Sequence, residues 1–66
     1  MARDRTEKFK ELAEGRLERT VKQIDLIGNL ADTSNYKYTD EQVAEIFLSL
    51  GEAIDRCRDR FLDKGH

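Results

Sequence analysis

Apolar side chains recur along both halves of this chain at steps of three and four residues, and a polar stretch without that rhythm separates them. On a wheel of about 100° per residue, Phe9, Ala13, Leu17, Thr20, Val21, Ile24 and Ile27 fall within roughly a third of the circumference, the width of a core-facing stripe. In the second half Val43, Ile46, Phe47, Leu50, Ala53, Ile54, Cys57 and Phe61 do the same. The pattern predicts one helix over about 4–30, a connection over about 31–38 and a second helix over about 39–63, each roughly 35–40 Å long.

The start of the second helix is the best-marked boundary. Thr39 is a good N-cap, and Gln42, three residues on, can reach back to the Thr39 amide, which completes a capping box. Tyr38 and Val43 stand where a hydrophobic staple would clamp the chain, and Asp40 and Glu41 place negative charge at the positive end of the helix dipole. For the first helix, Asp4 or Thr6 would cap the start, with Glu7 three residues after Asp4. Gly28-Asn29 would stop it in a left-handed turn, or the helix would run on to Leu30 or Ala31. The second helix would end near Asp63, ahead of Gly65. Between the helices, Asp32-Thr33-Ser34-Asn35-Tyr36-Lys37 is rich in turn formers. A short connection between long helices favours antiparallel neighbours, with Ile24 facing Ile46, Leu17 meeting Leu50 or Ile54, and Phe9 approaching Phe61.

A second row on each helix raises the question of a further contact. Leu12, Arg16, Arg19, Gln23, Leu26 and Leu30 repeat at alternating four- and three-residue steps, and so do Ala44, Leu48, Gly51, Asp55, Arg58 and Leu62. Gly15 and Gly51 each cost about 1 kcal/mol relative to alanine inside a helix, and Gly51 beside Ala44 would let another helix approach closely. Read this way, Leu12, Arg16, Arg19, Gln23, Leu26, Leu30, Leu48, Gly51, Asp55 and Leu62 form partner-binding rows, with Arg16 and Arg19 pairing carboxylates across an interface and Asp55 in the comparable row. The alternative is that the leucines are scattered surface residues.

Size favours a partner. A chain of 66 residues buries a smaller share of its surface than a larger domain does, so its stability is marginal without help. Cys57 is the only cysteine, so no internal disulfide forms, and with His66 as the only histidine a zinc site would be incomplete. Self-association is the route that remains, and the expected fold is all-α: an antiparallel two-helix hairpin assembling as a homodimer into a four-helix bundle.

Charge and motifs narrow the function further. Charged residues make up 39% of the chain, yet the formal net charge is only −2, with no strong push toward nucleic acid or membranes. In a closed hairpin the end joining residues 3–11 and 55–64 would hold eight cations against six carboxylates, and the loop end two cations against five. Acids interleave with the bases throughout, unlike a nucleic-acid-binding face, so a regulator using the basic open end on nucleic acid is the less favoured reading. There is no apolar run of membrane-spanning length and no apolar signal core at the start, which makes a cytoplasmic protein the expectation. Neither a phosphate-binding glycine loop nor Gly-x-Ser-x-Gly nor His-Glu-x-x-His occurs, and the pairs Asp4/Glu7, Glu14/Glu18 and Glu41/Glu45 read as solvated helix charges. Cys57, on the apolar stripe and without an internal histidine, reads as a small buried hydrophobe. No catalytic, metal or cofactor site is expected.

The connection offers one more surface. Asn29, Ser34, Asn35, Tyr36 and Tyr38 gather polar and aromatic groups, and tyrosine suits recognition because it joins apolar area to a hydroxyl. The alternative is that Tyr36 and Tyr38 cap the end of the core. The segment from Leu26 to Thr39, with Gly28-Asn29-Leu30 ahead of Ser34-Asn35-Tyr36-Lys37-Tyr38-Thr39, resembles that of small uncharacterised bacterial helical proteins. The resemblance implies a bacterial or mobile-element origin. It attaches no activity, so no functional residue carries over from it. The expectation is a non-enzymatic protein-protein interaction module, a small regulator or adaptor acting as an oligomer.

Overall fold

The computed structural model describes residues 2–64, with side chains for residues 4–63. Helix α1 spans Ala2–Gly28, a 3-10 turn follows at Asn29–Ala31, and helix α2 spans Asp40–Lys64. No strand occurs among the described residues, so the class is all-α with two long helices. The chain divides into two compact units, Met1–Tyr36 and Lys37–His66. Gly65 and His66 lie outside the described residues, as do the side chains of Arg3 and Lys64 that entered the charge balance.

In the first unit, α1 begins ahead of both expected caps. Asp4 and Thr6 are therefore helical residues and not N-caps. Asp4 instead sits in the first turn, where the aligned peptide dipoles favour a carboxylate. Thr20, the one polar member of the apolar stripe, donates its hydroxyl to the Arg16 carbonyl one turn back at 2.7 Å, which satisfies it within the helix.

Helix α1 ends at Gly28, where the Gly28-Asn29 stop is expected, but without the left-handed turn. Gly28 is right-handed, at φ −61° and ψ −29°, and no positive φ occurs among the described residues. The helix stops by tightening: three residues wind as a 3-10 turn, and Asp32 then turns extended at φ −68° and ψ 102°. Such tightening uses shorter-range bonds for carbonyls that an α-helix end leaves over. Here the Asp32 N–H reaches the Asn29 carbonyl at 3.4 Å, a long and weak bond.

In the second unit the capping box forms as expected. The Gln42 N–H donates to Thr39 Oγ1 at 3.1 Å, and the Thr39 N–H donates to Gln42 Oε1 at 2.8 Å. The Val43 N–H closes the first turn on the Thr39 carbonyl at 3.2 Å. Asp40 and Glu41 lie in the first turn. Removing the cap hydroxyl with Thr39→Ala is expected to cost about 1 kcal/mol, which lowers the melting temperature of a chain this size by about 4–8 °C. Thermal unfolding followed by circular dichroism checks it.

Both apolar stripes are present, and neither is enclosed. Among the described residues none is buried; Ala13, Gly15 and Ile27 of α1 and Val43, Ile46 and Leu50 of α2 are half-buried. Leu17 is 65% exposed and Phe47 63%. Cys57 is exposed as well, which corrects the expectation of a buried thiol. Within each unit the stripe occupies one side of a single helix, and a single helix has no interior in which to hide it.

Candidate functional site

The residues singled out as partner-binding fall on three pieces of structure. Leu12, Arg16, Arg19, Gln23 and Leu26 lie along α1, and all are exposed. Leu30, the last member of that row, lies in the 3-10 turn, so it does not continue the α-helical spacing. Leu48, Gly51, Asp55 and Leu62 lie along α2 and are exposed, with Leu62 at 71%. Tyr36 closes the first unit, half of its surface in solvent.

Within α1, the Arg19 side chain lies over Gly15. A methyl placed there would touch the Arg19 guanidinium at 3.7 Å, an ordinary contact distance, so the arginine lies back over the preceding turn. Near the start of the helix a shallow, open concavity is lined by Asp4, Arg5, Lys8, Phe9 and Leu12. Its apolar floor and charged rim suit contact with another polypeptide better than enclosure of a small molecule.

Within α2, Asp55 already has a partner. Arg58, three residues on, brings its guanidinium to Asp55 Oδ1 at 3.1 Å, and both side chains remain largely in solvent. An exposed pair of this kind contributes about 0–1 kcal/mol. It competes with the expected pairing of Asp55 across an interface. The two residues stand at a favourable helical spacing, and that signal was available in the sequence. A methyl at Gly51 would meet nothing within 4 Å, so the α2 surface is open there.

The connection is organised by a residue that sequence reasoning treated only as one turn former among several. Asp32 Oδ1 accepts from the Ser34 N–H at 3.0 Å and from Ser34 Oγ at 2.7 Å, while Oδ2 accepts from Asn35 Nδ2 at 2.8 Å. Its carbonyl accepts from the N–H groups of Asn35 at 3.2 Å and Tyr36 at 3.0 Å. An aspartate bonding the backbone two residues on is the mark of an Asx-turn, and Asp32-Thr33-Ser34 carries that spacing. Ser34 and Asn35 therefore each give a side-chain donor to the turn itself. Tyr36 and Tyr38 remain partly exposed, at 49% and 42%.

These bonds have a titration consequence. The Ser34 hydroxyl, then the Ser34 amide, hold the Asp32 carboxyl below its ordinary value of 3.8; partial loss of water opposes them and Asn35 adds to them. A lowered folded value means that the turn is stabilised above 3.8, where the unfolded group is ionised, and loses that stabilisation as pH falls through the lower folded value. Acid titration of the Ser34 and Tyr36 amide resonances should show their shifts moving together below 3.8, and Asp32→Asn should abolish the step.

Among the described residues no group of three or more histidine, cysteine, aspartate or glutamate side chains is placed to hold a metal ion. Among the described residues no helix is long and apolar enough to cross a membrane. No protein family, curated protein or solved structure matches the chain.

Proposed function

We propose that this chain is a non-enzymatic protein-protein interaction module, a small bacterial regulator or adaptor that works in the cytoplasm as an oligomer. Its two helices close as an antiparallel hairpin, and two hairpins join as a four-helix bundle. The observation that carries this reading is the exposure of the apolar stripes. Leu17 on the stripe of α1, and Phe47 and Ile54 seven residues apart on that of α2, each present half or more of their surface to water. Contiguous apolar surface of that kind marks sites of association in soluble proteins. The rows containing Leu12, Leu26, Leu48 and Leu62, together with Tyr36, provide the outer face for a further protein.

The test is mass and melting temperature across a dilution series. Sedimentation equilibrium should give twice the chain mass of 7.7 kDa at high concentration, and the melting temperature should fall on dilution, since association stabilises by mass action. A cooperatively melting monomer at micromolar concentration, with a melting temperature independent of dilution, would overturn the reading.

A further inference from the structure

Six residues of α2 form a strict heptad seam: Val43, Phe47, Leu50, Ile54, Cys57 and Phe61, at steps of four, three, four, three and four. Phe47 is 63% exposed and Ile54 50%, with Leu50 half-buried between them. The spacing is symmetric about residue 52. An antiparallel copy of the same helix therefore brings Val43 opposite Phe61 of the second copy, Phe47 opposite Cys57, and Leu50 opposite Ile54, so that no seam position is left over. Small meets large in the outer layers, and like volumes meet at the centre. A parallel copy would set Phe47 against Phe47 and Cys57 against Cys57, crowding some layers and leaving others underfilled, which a close-packed seam does not tolerate.

Charge selects the same orientation. Residues 40–52 carry Asp40, Glu41, Glu45 and Glu52 and no cation, a net −4, whereas in residues 53–64 Arg56, Arg58, Arg60 and Lys64 stand among Asp55, Asp59 and Asp63, a net +1. Antiparallel pairing lays the acidic half along the half that holds the arginines; parallel pairing lays four carboxylates along four. Gly51 lies beside the centre of symmetry, where its missing side chain leaves the α2 surface open.

From this the geometry points to a second copy of the chain as the occupant of the α2 seam, lying antiparallel and centred on residue 52. The inference rests on the proposed oligomeric function and adds the face, the direction and the register; the hairpin contact of α1 then falls on the flanking side of the stripe, at Ile46 and Ala53. It also assigns Cys57 a place against Phe47 of the second copy, away from the other Cys57.

The test uses the full chain with Cys57→Ser and a single nitroxide label at Glu41→Cys, Glu52→Cys or Asp63→Cys, read by pulsed dipolar spectroscopy. Positions 41 and 63 each lie eleven residues from the centre, an axial offset between copies of about 33 Å at 1.5 Å per residue. Glu41, Glu52 and Asp63 share the face away from the seam, so the labels differ chiefly in axial offset, and the expected result is the shortest interspin distance at 52, with longer and matching distances at 41 and 63. Equal distances at all three positions would establish a parallel pair and overturn the inference. A dimeric mass with any other distance pattern would place the contact on another face and also overturn it. A monomeric mass for the unlabelled chain would instead remove the oligomeric reading on which it rests.

Discussion

Replacing Leu50 with aspartate is expected to abolish self-association at concentrations where the parent chain is dimeric. Leu50 is half-buried within its own unit and occupies one of the two central layers of the α2 seam. Removing its side chain from an interface forfeits about 1.5–3 kcal/mol of burial in each copy. The introduced carboxylate must also stay in water or accept a desolvation penalty. A combined loss of about 4 kcal/mol per dimer raises the dissociation constant by about a thousandfold. Sedimentation equilibrium at matched concentrations measures it. Helicity should fall with association, because isolated helices of this length are marginal in water. Leu48→Asp is the control, since Leu48 is on the outer row of the same helix and 61% exposed. Aspartate there should leave the dimer near its parent strength.

Gly51→Leu should move two measurements in opposite directions. In the single chain nothing lies within 4 Å of a side-chain carbon added at this position, and leucine is a far better helix former than glycine, so helicity at high dilution should rise. Gly51 flanks the seam next to its centre, so the same side chain, contributed by both copies, must find room at the edge of the antiparallel pair. Overpacking of that sort costs about 1–3 kcal/mol per site, which weakens dimerisation by about tenfold or more. A variant that is more helical as a monomer and poorer as a dimer separates intrinsic propensity from packing. Gly15→Ala has no such conflict. The added methyl would meet only the flexible end of Arg19, so it should raise helix stability by about 1 kcal/mol.

What the sequence conveyed well was short-range. The two helices and the Thr39-Gln42 capping box follow from interactions between residues three and four apart, and the chain spells those out. The boundaries of α1 were less legible. Asp4 and Thr6 are acceptable caps, but nothing stops the helix from adding a turn ahead of them, and Asp4 is favourable in the first turn as well. Gly28 can adopt a left-handed conformation and does not need to, because Asp32 ends the helix by other means. The role of Asp32 was hidden because aspartate, serine and asparagine in a connection are each compatible with many turns. Only geometry shows that one carboxylate collects three of their donors. Cys57 was misjudged for a different reason. Periodicity tells which side of a helix is apolar, whereas burial depends on what lies against that side, and a single unit provides nothing to enclose it.

The clasp around Asp32 reaches no further than four residues along the chain. Closure over so few residues takes roughly 10–100 ns or less, and it recruits no apolar neighbour whose arrival must be awaited. It should therefore be among the earliest native features to condense during refolding. Its amide signals would then persist unchanged when the protein is thinned to the point where helix signals fade, giving spectroscopists a built-in fiducial against which every slower, concentration-dependent rearrangement can be timed.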